Sequence, residues 1–312
     1  MSASEIKNLQ PHGFPPLPSG WKTEGERFLD HTQRLQLFGT SFVNTQTANP
    51  KTLMVVHGQG EHFGRYQHLP HYFAAEVGQV VGCDLLGHGR SEGTRGHIDQ
   101  FDDYALDLIS YIRRWNERLK KQFGKSDIHL VGHSMGGLVA LRALLAEPEI
   151  NLSSVTLVAP FLGLLDNVPI WKKLAAQALN RVAGKIQIAN TVDPKVLSHD
   201  PEVAKMYDLD HLNHNKVTPI FYFSLLDTIA KTHKVLEQQR QDLFKLPLQF
   251  LLPLEDKVVD VQSSIRFAEK LKHPNKRVLI YEGLYHEALN ETSKGRVVED
   301  IKTWITEHSS LR

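Results

Sequence analysis

The sequence holds one cysteine, Cys83, in 312 residues. An intrachain disulfide is therefore excluded, and with it the small secreted folds that depend on a disulfide frame. Long hydrophobic runs are missing as well. A membrane-spanning helix needs about 20 consecutive apolar residues. The longest apolar stretch, Leu246 to Leu254, is far shorter and is broken by Pro247 and Pro253. Nor is there an excess of charge: 36 Lys and Arg stand against 35 Asp and Glu, a net charge of +1. A near-neutral surface offers no overall field for nucleic acid, so no nucleic-acid partner is expected. The first twenty residues show no basic stretch followed by an apolar core. No secretory signal is expected from them, and a cytoplasmic location is. Residues 1–20, rich in Pro, Ser and Gly, read as a loose leader. With 41% hydrophobic and 23% charged residues the composition is globular, which rules out a disordered chain or a coiled-coil rod.

What is present is an alternation of apolar runs and helical patterns. Glu26 to Val43 suits a hairpin, with Gly39 as its break. Apolar runs follow at Thr52–Val56, Gln79–Cys83, Ile128–Val131, Ser154–Ala159, Leu248–Leu252 and Arg277–Tyr281. Uninterrupted runs of this length fit strands buried on both faces of a parallel sheet. Between them, Tyr104–Lys121, Leu138–Ala146 and Val297–Glu307 carry helical periodicity. The expectation is a doubly wound α/β fold, a mostly parallel sheet flanked by helices. Residues 162–240 break the rhythm with helical patterns and no clear buried strand. They read as a helical cap inserted into a core of residues 21–161 and 241–312, above the carboxyl ends of the strands, where such folds bind ligands.

Gly132-His133-Ser134-Met135-Gly136 fits G-x-S-x-G. It follows a short apolar run and opens an Ala/Leu helix, the strand–turn–helix setting in which a serine hydroxyl is held above a sheet edge. A serine hydroxyl is a poor nucleophile unless a base takes its proton. His286, just after the last run, has the right position for that base, because the order in such folds is Ser, acid, His. The acid should follow the preceding strand, where Glu255, Asp256 and Asp260 stand. Asp256, at the start of the loop, is the first choice and Asp260 the second. Two backbone N–H groups must hold the oxyanion. Met135, directly after the serine, and Gln59, in His57-Gly58-Gln59-Gly60 after the first parallel strand, occupy the expected places.

These residues resemble the monoacylglycerol lipase and lysophospholipase branch of the α/β-hydrolase superfamily, in its bacterial form. HGQGEHFGRY at 57–66 looks like that branch's HGxGEHxxRY, and CDLLGHGRSEGTRGH at 83–97 like its D-xx-GHG-x-S-x-G-x-RGH stretch. The cap segment HDPEVAKMYDLDHLNHNKVT and the tail YEGLYHEALNE resemble its DPE…Y…D and YxGxxHExxNE patterns. The resemblance implies hydrolysis of one fatty acyl ester of a single-chain lipid, without a cofactor. Ser134, Asp256 and His286 fall on its triad positions, and Gln59 and Met135 on its oxyanion positions. Glu61 and Arg65 match positions that lie near the polar head. The acid loop departs from the usual G-x-x-D in reading Pro253-Leu254-Glu255-Asp256.

Seventeen histidines invite a metal reading, but no H-E-x-x-H or comparable ligand spacing occurs, so no metal is expected. His57, His88 and His133 sit inside glycine motifs, where a supporting hydrogen bond is the expected role, and His133 is also a candidate for the substrate wall. Phe161, Leu162, Leu164, Leu165, Ile170, Trp171 and Leu174 open the insertion. They either pack the cap onto the core or line an acyl tunnel and touch a lipid surface; Phe161, Leu162 and Leu165 are the wall candidates. Three rival activities share or border on this chemistry: a short-chain esterase or peptidase of the same fold, an acyltransferase, and a non-catalytic lipid-binding relative.

Overall fold

The computed structural model describes residues 15–165, 183–190 and 192–310. The expected leader is not wholly loose, because Pro15 O and Pro16 O lie 2.9 and 2.7 Å from Gln67 Nε2 and His71 Nε2. Two strands come first, β1 (Trp21–Leu29) and β2 (Gln36–Asn44), paired antiparallel. Gly39 is not the break in this hairpin but lies inside β2. Its missing side chain makes room for the Tyr111 ring, which a Cβ there would meet at 3.2 Å. The turn falls at Asp30–Leu35 instead, where the Asp30 carboxylate accepts the N–H groups of Arg34 and Leu35 at 2.7 and 3.1 Å.

The parallel part follows as β3 (Lys51–Val56), β4 (Gln79–Asp84), β5 (Asp127–His133) and β6 (Ser154–Val158). Two more short strands, β7 (Ile188–Ala189) and β8 (Lys216–Val217), pair only with each other, and β9 (Leu248–Pro253) and β10 (Lys276–Tyr281) close the set. Among the described residues one eight-stranded sheet runs β1-β2-β4-β3-β5-β6-β9-β10. The register carries Val56 beside Gly132, His133 beside Val158, Val158 beside Leu251 and Pro253 beside Tyr281. Five strands, some far apart in the chain, therefore end along one edge, and their following loops meet there.

Helices cover both faces. The first group is α1 (Leu69–Phe73), α2 (Asp102–Phe123) and α3 (Met135–Ala146). Then come α4 (Pro201–Leu209), α5 (Pro219–Glu237), α6 (Val261–Lys270) and α7 (Gly295–Glu307). One apolar cluster joins the sheet to Trp115, Leu138, Leu141 and, from α5, Phe221 and Leu225. The other joins the opposite face to Phe63, Phe73, Val298 and Ile301. No described helix is long and apolar enough to cross a membrane.

The inserted segment carries α4, α5 and the β7–β8 pair between β6 and β9, so it is not purely helical. Asp200 caps α4 by accepting the Glu202 N–H at 3.0 Å, with Pro201 next, which accounts for the DPE sequence. Ile170, Trp171 and Leu174 lie outside the described residues.

The turn from β5 into α3 is built on close contact. A Cβ on Gly136 would lie 2.2 Å from Val56 O, and one on Gly132 would lie 2.6 Å from Gly136 O. Gly136→Ala is expected to lower unfolding stability by about 1–3 kcal/mol, or to prevent folding, through overpacking. Gly295→Ala, where nothing lies within 4 Å, should be neutral or gain up to about 1 kcal/mol. Urea denaturation of the two variants beside the parent checks both.

Candidate active site

Ser134 sits between β5 and α3 with φ 53° and ψ −119°, a left-handed backbone conformation that non-glycine residues rarely adopt. The turn is held on both sides: Ser134 N–H donates to Val158 O and Phe161 N–H donates to Ser134 O, each at 3.0 Å. Met135 opens α3, and the first N–H groups of a helix have no partner within it.

His286 follows β10, and its Nδ1 lies 2.6 Å from Asp256 Oδ2, with both side chains buried. The other oxygen, Asp256 Oδ1, accepts Val258 N–H and Val259 N–H at 2.8 and 3.0 Å. Burial acts to raise the Asp256 pKa, but the His286 ring and these amides outweigh it and hold the carboxyl below its ordinary range. Asp260 does something else. It caps α6, accepting Gln262 N–H at 3.0 Å and Ser263 Oγ–H at 2.6 Å. Glu255 is exposed. Pro253 ends β9, and the ladder continues through Leu254 N–H to Tyr281 O at 2.8 Å, so the proline departure leaves the acid loop attached to β10.

Behind these groups lies a buried ionic cluster. Arg65 donates from Nη1 to Glu61 Oε2 at 2.6 Å and holds Glu287 with both terminal nitrogens at 2.8 Å. Glu61 Oε1 accepts Gly58 N–H at 2.6 Å and the Tyr66 hydroxyl at 2.9 Å. Burial would raise the Glu61 pKa, yet the Arg65 guanidinium and the His133 ring hold it well below the usual carboxylate range. Burial would likewise strip Arg65 of its proton, and Glu287 and Glu61 more than offset that. The Gly58–Glu61 bond fixes the turn that carries Gln59. The histidines of the glycine motifs serve as supports: His57 Nδ1 lies 2.7 Å from Gly58 O and its Nε2 accepts Leu85 N–H at 2.9 Å.

Gly58, Gln59, Glu61, Arg65, His133, Ser134, Phe161 and His286 line one cavity, together with residues of the inserted segment. Of the three apolar wall candidates, Phe161 lines it. Leu162 is buried in the core cluster instead, its carbonyl 2.8 Å from His233 Nε2, and Leu165 is half-buried and off the wall. Leu164 lines the cavity in their place. Sequence reasoning did not single out Glu287, Tyr207 and His214 as wall residues, although all three line the cavity. The first two stand inside the tail and cap patterns, and their signal was motif membership without a role.

The family described as "Serine aminopeptidase, S33" matches residues 47–293, well over half of the chain. The chain belongs to this family. Among curated relatives, rat monoglyceride lipase is 29% identical over 265 residues, 83% of this chain and 84% of that protein. Phospholipase YtpA of Bacillus subtilis is 28% identical over 256 residues, 82% and 95% of the two chains. The solved monoacylglycerol lipase of Paleococcus ferrophilus superposes with a TM-score of 0.74 at 28% identity, covering 88% of this chain and 99% of that one. The family's α/β-hydrolase architecture is thus the architecture found here.

Two substitutions separate the acid candidates. Asp256→Asn should lower kcat by about 10⁴-fold, the effect of leaving an active-site imidazole in the wrong tautomer. Asp260→Ala should leave kcat unchanged and cost about 1 kcal/mol of stability by uncapping α6. Steady-state kinetics with chemical denaturation reads both.

The site also bears on acid stability. Burial pushes His214, on the cavity wall, and His68 down from 6.5 to about 4. Both are neutral in the fold and free to charge when unfolded. Stability should therefore fall as pH drops below 6.5 and level off near 4, by roughly 3 kcal/mol per ring. Denaturation midpoints from pH 7.5 to 4 measure it, and His214→Gln should reduce the slope.

Proposed function

We propose that this chain hydrolyses one fatty acyl ester bond of a single-chain lipid, a monoacylglycerol or lysophospholipid, through an acyl-enzyme on Ser134. His286, oriented by Asp256, takes the Ser134 proton as the hydroxyl attacks the ester carbonyl. The N–H groups of Met135 and Gln59 hold the oxyanion, each worth about 3 kcal/mol of transition-state stabilisation. The protonated ring then gives its proton to the leaving alcohol oxygen. Water activated by the same ring releases the fatty acid.

The observation that carries this reading is the cavity wall. Phe161, Leu164, Val192, Leu197, Phe221, Leu225 and Val258 bring apolar side chains to the cavity that Ser134 also lines. An aminopeptidase, the activity named in the family's description, needs a carboxylate free to hold a substrate ammonium. The two carboxylates on this wall, Glu61 and Glu287, are both engaged by Arg65. That balance favours an uncharged, apolar acyl chain. The lipid esterases among the relatives point the same way.

The same reading assigns the enzyme to the cytoplasm, with peripheral contact to lipid surfaces through the inserted segment. Ile186, Ile188 and Leu209 are exposed there.

A fluorophosphonate probe should label the parent and not Ser134→Ala. In a panel crossing head group with chain length, kcat/KM should rise from short to medium or long acyl esters, with aminoacyl amides inert. Preference for aminoacyl amides would overturn the assignment, and so would dominant transfer to added alcohol over water.

A further inference from the structure

His133 lies next to Ser134 in the chain, and its ring reaches into the ionic cluster. Its Nδ1 is 3.1 Å from Glu61 Oε1 and its Nε2 is 3.3 Å from the carbonyl oxygen of His286. An ionised carboxylate and a carbonyl only accept hydrogen bonds. A neutral imidazole has one N–H and can serve one of them; an imidazolium serves both. The Tyr66 hydroxyl, 3.1 Å from Nδ1 and 2.9 Å from Glu61 Oε1, has a single proton, and the carboxylate is its stronger acceptor.

Charge balance leads to the same protonation state. Glu61 and Glu287 bring two negative charges into a buried space and Arg65 brings one positive charge. With a neutral His133 the cluster is left with a net buried charge, which low-dielectric surroundings penalise. With a protonated ring the charges cancel.

We infer that His133 is a positioning residue, held as an imidazolium that ties the oxyanion loop to the loop bearing the catalytic base. On one side the ring grips Glu61, whose same oxygen fixes Gly58 N–H at 2.6 Å, one residue before Gln59. On the other it holds the backbone of His286 itself, and the two rings lie 4.9 Å apart. Base, nucleophile and oxyanion donors are thus referenced to one ring. This inference rests on reading Ser134 and His286 as nucleophile and base.

Burial disfavours the charged ring, but Glu61 and Glu287 outweigh it and raise its pKa. The groups facing the ring are Glu61 and Tyr66 from one loop and His286 and Glu287 from the other, with Arg65 behind both carboxylates. A group raised in this way stabilises the fold below its unfolded pKa. That contribution disappears as pH rises through the folded value.

The test is ¹⁵N-edited NMR of the histidine rings in the parent protein at neutral pH, with kinetics of His133→Gln. Both ring nitrogens of His133 should carry protons, and Glu61→Gln should return the ring to one. His133→Gln should lose up to about 100-fold in kcat with little change in KM. The parent's kcat should fall as alkaline pH deprotonates the ring, and the variant should lack that fall. A singly protonated ring in the parent, or a variant with parental kcat, overturns the inference. The NMR measurement needs no turnover, so it holds even where the variant fails to fold. Failure of the hydrolase assignment would appear separately, as absent fluorophosphonate labelling of the parent.

Discussion

Attack by a serine requires a base, a pair of backbone donors and a carbonyl carbon to meet within a few tenths of an ångström. On the proposed roles of Gln59, Ser134 and His286, those groups sit on loops separated by up to about 230 residues, so something must hold the loops at fixed distances. The Glu61–Arg65–Glu287 set does this directly. Glu61 belongs to the loop that carries Gln59 and Glu287 is the residue after His286, and one guanidinium grips both. Buried ion pairs are poor stabilisers, since desolvation cancels most of their attraction. Their geometry is demanding, however, and a two-pronged guanidinium fixes distance and orientation together. The cluster is best understood as a buried spacer between the loop that carries Gln59 and the loop that carries His286.

The inserted segment is attached with comparable economy. His214 N–H donates to Gly60 O at 2.8 Å and Thr218 N–H to Gly96 O at 2.9 Å. Both glycines have positive φ, and a Cβ on either would strike the segment's backbone, at 2.5 Å from His214 O and 1.8 Å from Lys216 O. Gln59 reaches the same stretch through Nε2 to Lys216 O at 3.3 Å, and His62 Nε2 lies 2.8 Å from Asp210 Oδ2. The loop that carries Gln59 is therefore clamped on one side by Glu61 and on the other by the insertion. Backbone contacts of this kind leave little room for the two parts to shift independently.

Much of this was legible in the sequence, for identifiable reasons. Strands buried on both faces must be apolar throughout, so β3, β4, β5, β6 and β9 announced themselves. The serine turn was legible because its glycines are forced by contacts under 3 Å. The hairpin turn was misplaced because Gly39 serves packing against Tyr111, and a missing side chain reads alike whether it permits a turn or admits a ring. The choice among Glu255, Asp256 and Asp260 needed coordinates: a helix cap and a histidine partner both call for a carboxylate in a loop after a strand. Leu162 and Leu164 could not be told apart either, since alternate residues of an irregular segment have no periodicity to sort them.

The motif residues beyond the serine carry information of another kind. Asn290 donates to Glu287 Oε2 at 2.8 Å, and Glu291 accepts the Tyr285 N–H at 2.9 Å on the other side of His286. Asp84 accepts Phe63 N–H and Arg90 N–H at 2.9 and 2.8 Å, joining the segment after the oxyanion loop to the loop after β4. None of these groups is placed to act on a substrate carbonyl; each joins one loop to another. On the proposed role of His286, a pattern such as HExxNE thus encodes one catalytic atom and several struts. A substitution at a strut acts on catalysis through distance, so its effect belongs in kcat before it appears in affinity.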